Sequence, residues 1–151
     1  MGLDMYLNKR TYIGAEYEHR KVKGKIEITE GEEDKPINIQ FNRVSEIIER
    51  VAYWRKANQI HKWFVDHVQE GKDDCGEYYV STEKLKELIQ ECKSVLEKPE
   101  TGVEKLPTKS GFFFGGTEYD EYYYNDLRDT VDQIEPLLSE KDGSFYYKSS
   151  W

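Results

Sequence analysis

Asn58 and His61 are the residues of this 151-residue chain with the most chemical content for their setting. Read as one continuous helix, Ile47, Val51, Trp54, Asn58, His61, Val65 and Val68 fall on a single line at steps of three and four. An amide and an imidazole then interrupt an apolar stripe. Each needs hydrogen-bond partners or costs about 1–3 kcal/mol. Two readings stay open. Tyrosine hydroxyls, backbone groups or acids satisfy the pair inside the core. Alternatively the stripe opens into a pocket with Trp54 as its floor and Asn58 and His61 as its polar contacts. Arg55 and Lys56 flank the line and Lys62 follows it. They are either a solvated helix face or the anion-holding side of that pocket.

Gly115-Gly116-Thr117 forms a second constellation. Glycines before a helix N-terminus leave backbone N–H groups aimed at one spot, which suits an anion. Lys109 lies upstream. No lysine follows the second glycine, so the pattern is not a P-loop, and Glu118 and Asp120 compete for the same positive end. A plain tight turn is the competing account. Among the tyrosines, Tyr119, Tyr122 and Tyr123 are expected inward on the following helix and Tyr124 outward. Tyr119 or Trp54 is the candidate stacking platform.

Other chemistry has less support. His61 and His67 sit about 240° apart on a helix and cannot share an ion, so no metal and no cofactor is expected. Cys75 with His61 would make a nucleophile and base only if folding joined them. Asp4, beside Tyr6 and brought near His61, would make an acid/base pair.

The elements that must position these groups follow from periodicity. Met5 to Ile13 reads as a strand. Lys25 to Thr29 and Ile37 to Phe41 alternate around an acidic turn and predict a hairpin. Asn42 is placed to cap a helix of about 26 residues running to Gly71, with a break near Ala52 as the alternative. Glu77 to Val80 is a short extended piece. Ser81 starts an amphipathic helix with Leu85, Leu88, Ile89, Cys92, Val95 and Leu96 inward, closed by Lys98-Pro99. Gly111 to Gly116 reads as a short buried strand, and Thr117 with Asp120 as a capping box opening a third helix. Pro136 ends or kinks that helix. Asp142-Gly143 turns into a final strand reaching Trp151. The expected class is α+β: one domain over residues 1–151, a small and mainly antiparallel sheet against about three helices, with the long helix central.

Composition narrows the function. Charged residues make up 34% of the chain and the net charge is -8, which disfavours direct nucleic-acid binding through phosphate neutralisation. The 14% aromatic content argues for a packed core. Cys75 and Cys92 form no metal-ligand spacing and no disulfide framework, so a reducing cytoplasm is expected. No stretch approaches a membrane span, and the first residues lack a signal pattern.

The opening MGLDMYL, the segments YWRKANQIHKWF and GFFFGGTEYDEYY, and the closing Ser149-Ser150-Trp151 resemble a family of small proteins of tailed phages and prophages. That family has no assigned activity, so no residue role carries over. The resemblance implies a bacterial cytoplasm, an accessory phage gene and action on a host component. The expected function is non-catalytic capture of a small anionic, nucleotide-like ligand by Trp54, Arg55, Lys56, Asn58, His61, Gly115, Gly116, Thr117 and Tyr119. Inhibition of a host enzyme or defence factor by protein–protein contact and hydrolysis of nucleotides or small phosphates are the alternatives. Homo-oligomerisation is left open.

Overall fold

A computed structural model describes residues 2–14, 17–20 and 22–151, with Arg20 as backbone only. Part of the polar stretch Ala15 to Lys23, which the pattern leaves unassigned, lies outside the described residues, as does the first residue of MGLDMYL. The architecture is α+β. Strands β1 (Asp4–Tyr12), β4 (Glu46–Arg55), β5 (Glu77–Val80) and β6 (Ser144–Ser150) form one antiparallel sheet in the order β4-β1-β6-β5. Strands β2 (Ile28–Glu30) and β3 (Lys35–Ile37) form a separate hairpin. The helices are α1 (Asn58–His67), α2 (Thr82–Glu97), the single turn α3 (Gly102–Lys105) and α4 (Glu121–Ile134).

One face of the large sheet is buried. Met5 and Leu7 of β1 lie opposite Trp54 and Ala52 of β4, and Phe145 and Tyr147 of β6 continue the layer. Helices α2 and α4 pack on each other, and α4 also packs on β4 and α1. The other face is polar and aromatic. Arg50 sits over the Tyr6 ring, Arg10 sits over Tyr146, and Arg10 pairs with Glu46 and Glu77. This one-sided burial gives antiparallel strands their alternation. The register shift between Leu7 and Asn8 leaves Val51 of β4 without a β1 partner, so the bulge lies in β4, while β1 keeps its parity and pairs with β6 without a break.

The long helix is corrected. Residues Glu46–Arg55 are a strand, and the helix begins only at Asn58. Val44, Ile47, Ile48, Val51 and Trp54 imitate helical spacing, but the β-branched members favour a pleated strand. Lys56 then takes a left-handed φ of 59° and turns the chain into α1. Asn42 caps nothing; it lies in a 3-10 turn at Phe41–Arg43. The surviving helix is central, since Asn58 to His61 and Trp63 to Val65 are all buried. It ends at His67, four residues before the expected stop; Gly71, at a φ of 80°, closes the turn that follows by donating its N–H to the Val65 carbonyl.

Ser81 caps α2 by accepting from the Lys84 N–H, and Cys92 is buried inside. In α4 the cap is Asp120, which accepts from the Tyr123 N–H. Thr117 is exposed and caps nothing, so the capping box is corrected. Pro136 ends α4 in a 3-10 turn, Glu135–Ser139. Tyr123 is buried as expected, whereas Tyr122 is 81% exposed and Tyr124 packs partly against the core, reversing the expected placement of those two. The run Gly111 to Gly116 is a turn rather than a buried strand. Phe112 is 95% exposed there, Phe114 is buried, and Gly115 takes a φ of 85° that a strand does not use.

Candidate functional site

The loop spanning residues 107–120, between α3 and α4, is fixed from beneath by α1. The Asn58 side chain donates from its amide nitrogen to the Phe114 carbonyl at 3.0 Å and the Gly116 carbonyl at 2.8 Å. Its oxygen accepts from the Lys109 N–H at 2.9 Å. One buried amide therefore satisfies three backbone groups of a loop that has no strand partner. Leu3 donates to the Phe113 carbonyl, and Thr108 donates its N–H to the Tyr119 hydroxyl and its hydroxyl to the Thr117 carbonyl. The missing side chain of Gly115 is required: a Cβ there would lie 3.0 Å from the Lys56 Cβ.

One turn further along α1, His61 is fully buried at 0% exposure. Burial holds its pKa below the ordinary imidazole value, against the pull of Asp73. Asp73 can only accept, so His61 Nε2 carries the proton and donates to Asp73 Oδ1 at 3.0 Å. His61 Nδ1 then accepts from the Tyr147 hydroxyl at 2.7 Å, and burial raises the Tyr147 pKa so that the hydroxyl keeps its proton. Asp73 also accepts from Lys109 Nζ at 2.7 Å and Trp151 Nε1 at 3.0 Å. Burial alone would raise the Asp73 pKa, but Lys109 and His61 outweigh it and hold it below the carboxylate value. The chain Tyr147–His61–Asp73–Lys109/Trp151 is closed and fully partnered.

Two clefts flank the loop. The first, about 250 Å³, is lined on one side by Arg55 and Lys56 and on another by Gly115 and Gly116. Gln59, Tyr122 and three acids, Glu118, Asp120 and Asp126, line the rest of it. Among the described residues neither Arg55 nor Lys56 has an acidic partner. Asp126 accepts from the Gln59 amide at 3.1 Å, yet burial raises its pKa to about 6. The second cleft, about 460 Å³, is walled by Phe112, Phe113, Phe114 and Trp151, with the Asp73–Lys109 pair at its polar end.

Of the predicted residues, Arg55, Lys56, Gly115 and Gly116 come together in the first cleft. Trp54 does not, because it is buried and donates from Nε1 to Thr130 Oγ1 at 2.9 Å. Asn58 and His61 are sealed in the core with protein partners and line neither cleft. Thr117 and Tyr119 are occupied within the loop, and the Tyr119 ring packs on Tyr123. The pairing of Asp4 with His61 is also corrected: Asp4 accepts from Tyr53, and the acid at His61 is Asp73. Both ring nitrogens of His61 being taken, Cys75 has no base there. Gln59, Tyr122 and Asp126 are the cleft residues that the sequence reading missed; once α1 starts at Asn58, Gln59 becomes its first-turn neighbour of the loop. Compared with protein-family models, curated proteins and solved structures, the chain matches none of them.

Proposed function

We propose that this is an accessory protein of a tailed phage or prophage, working in the bacterial cytoplasm as a non-catalytic binding module. Its ligand is a small anionic, nucleotide-like molecule held in the first cleft. The observation that carries this reading is the pair of cations, Arg55 and Lys56, which make no ion pair among the described residues and lie beside the Gly115–Gly116 backbone. A phosphate there would meet two cations and accept from main-chain N–H groups. The rest of the lining supplies a different chemistry. Gln59 gives its amide N–H groups to the Tyr123 carbonyl and Asp126, which leaves its oxygen and the Asp126 carboxylate as acceptors for a base amino group or ribose hydroxyls, and the exposed Tyr122 ring offers a stacking face. A volume near 250 Å³ sits just below the usual range of about 300–1,000 Å³ for ligand sites, which favours a mononucleotide over a larger cofactor.

The phage or prophage context is supported by the residue segments that resemble that family. Binding is favoured over hydrolysis because the imidazole nearest the loop is buried and committed to Tyr147 and Asp73, out of reach of a substrate. Titration calorimetry with adenosine and guanosine monophosphates and with inorganic phosphate tests the reading. Saturable one-to-one binding of a nucleotide is expected, with at least a tenfold loss in Arg55→Ala/Lys56→Ala. Unchanged affinity in that variant would sink it. The rival, contact with a host protein, draws on Phe112, which is 95% exposed beside the second cleft. Binding of a nucleotide that survives Phe112→Ser and fails in the Arg55 variant separates the two.

A further inference from the structure

Away from its two cations, the first cleft offers acceptors and almost no donors. Gln59, in the first turn of α1, gives both hydrogens of its amide away, to the Tyr123 carbonyl at 3.3 Å and to Asp126 Oδ2 at 3.1 Å. Only the amide nitrogen can serve two acceptors, so the Gln59 oxygen is the end left unused. Among the described residues no donor reaches that oxygen, and Gln59 alone reaches the Asp126 carboxylate. Thr108 spends its hydroxyl on the Thr117 carbonyl. Glu118 and Asp120 add further acceptors. Outside the cations, only the Tyr122 hydroxyl keeps a hydrogen to give.

Asp126 is the least well served of these groups. It is half-buried, and its one donor is a neutral amide. Burial raises its pKa to about 6, so near neutral pH it is charged without the partners a buried charge needs. A ligand that brings two donors to this carboxylate makes good that shortfall. Tyr122 and Asp126 are one turn apart on the same side of α4. A planar base stacked on Tyr122 therefore has an edge directed along the helix to Asp126.

The natural bases differ in what that edge carries. Adenine and cytosine set one amino group beside a bare ring nitrogen. Uracil sets one ring N–H between two carbonyls. Guanine alone sets two donors side by side, its ring N–H and its 2-amino group. Resting on the nucleotide reading above, we infer that the first cleft selects guanine nucleotides. Asp126 accepts from both donors of the base, and Gln59 holds the carboxylate in place. An adenine in the same pose would set a bare ring nitrogen against the carboxylate, two acceptors with no proton between them.

Titration calorimetry with guanosine, inosine and adenosine monophosphates is the test. Inosine keeps the ring N–H and lacks the amino group. Affinity should fall in the order guanosine, inosine, adenosine, with at least tenfold between the first and the last. Asp126→Asn keeps the shape of the side chain and exchanges one acceptor for a donor, so the guanine-to-adenine ratio should drop at least tenfold. Arg55→Ala/Lys56→Ala should weaken all three nucleotides together. Equal affinity for guanine and adenine nucleotides, or a preference for adenine, overturns the inference; if that binding is still lost with Arg55 and Lys56, the nucleotide reading stands without it. No binding of any of the three overturns both. A guanine preference that persists in Asp126→Asn overturns the role given to Asp126.

Discussion

The two clefts on either side of the 107–120 loop share a wall but differ in how their cations are held. On the Trp151 side, Lys109 is already paired with Asp73, which also accepts hydrogen bonds from His61 and Trp151. On the Arg55 side, two cations make no ion pair among the described residues, although Glu118, Asp120 and Asp126 line the same cleft. The Trp151 side has in effect filled its own polar site with a side chain. The Arg55 side has not, and that difference, more than size, marks it as the place where an anion would gain. Comparing volumes alone would choose the larger cleft, about 460 Å³ against about 250 Å³. Burial of aromatic walls and vacancy of charge are separate properties, and only the second names a ligand chemistry.

Removing the closed side's central group should have the largest effect. His61→Ala leaves the buried Tyr147 hydroxyl without its acceptor, deprives Asp73 of a donor and opens a cavity. About 3–5 kcal/mol of stability should be lost, measured by denaturant unfolding. A loss under about 1 kcal/mol would mean that the network is not structural. Asn58→Ala comes next, at about 2–3 kcal/mol, since three backbone groups, one buried and two part-buried, lose their partner. Hydrogen exchange should quicken across residues 107–120 in this variant. Nucleotide affinity should also fall although Asn58 touches no ligand.

Acid titration sharpens the comparison because the two sides respond with opposite sign. The Asp126 pKa is raised to about 6 by burial, so the folded state holds a proton that the unfolded chain has released. Stability on that account falls as pH rises from about 4 to about 6 and is flat above. Asp126→Asn should remove this slope and add about 1–2 kcal/mol at pH 7, allowing for solvent screening. Asp73, held low by Lys109 and His61, contributes stability that is present above the usual carboxylate range and lost as pH falls through its depressed value. Smallest of all should be the effect of Arg55→Ala on folding, within about 0.5 kcal/mol of wild type, because the side chain has no partner to lose. A larger change would show that Arg55 is part of the scaffold.

Much of the fold was legible because it rests on short-range signals. The Ser81 cap with the apolar face of α2, the existence of a hairpin around the acidic turn, and the Pro136 stop are all local. The hairpin strands nevertheless form at Ile28–Glu30 and Lys35–Ile37, closer to the turn than the alternation at 25–29 and 37–41 suggests. The failure at residues 43–57 has one cause: hydrophobic spacing of three and four occurred in a strand that itself carries a bulge at Val51, and only the density of β-branched residues argued against a helix. Asn58 and His61 stood out in the sequence as polar residues at buried positions, and they are buried. Their partners were invisible, since Phe114, Gly116, Asp73 and Tyr147 lie in loops or distant strands that no periodicity connects to α1. Tyr122 and Tyr124 were exchanged because both lie near the edge of the α4 apolar face, where a small rotation decides which one packs.

The place of β6 bears on how the chain acquires its shape during synthesis. Ser144–Ser150 lies between β1 and β5, so one neighbour comes from the first dozen residues and the other from mid-chain. While the ribosome is still making residues before 144, β1 can pair with β4, but β5 has no strand to join and Tyr147 is not yet there to stack on Phe64. The nascent chain must therefore hold an open sheet edge and a half-covered core until its closing segment emerges. Completion of the whole sheet waits for residues 144–150 and is slow for its size, as expected where sequence-distant pairing dominates.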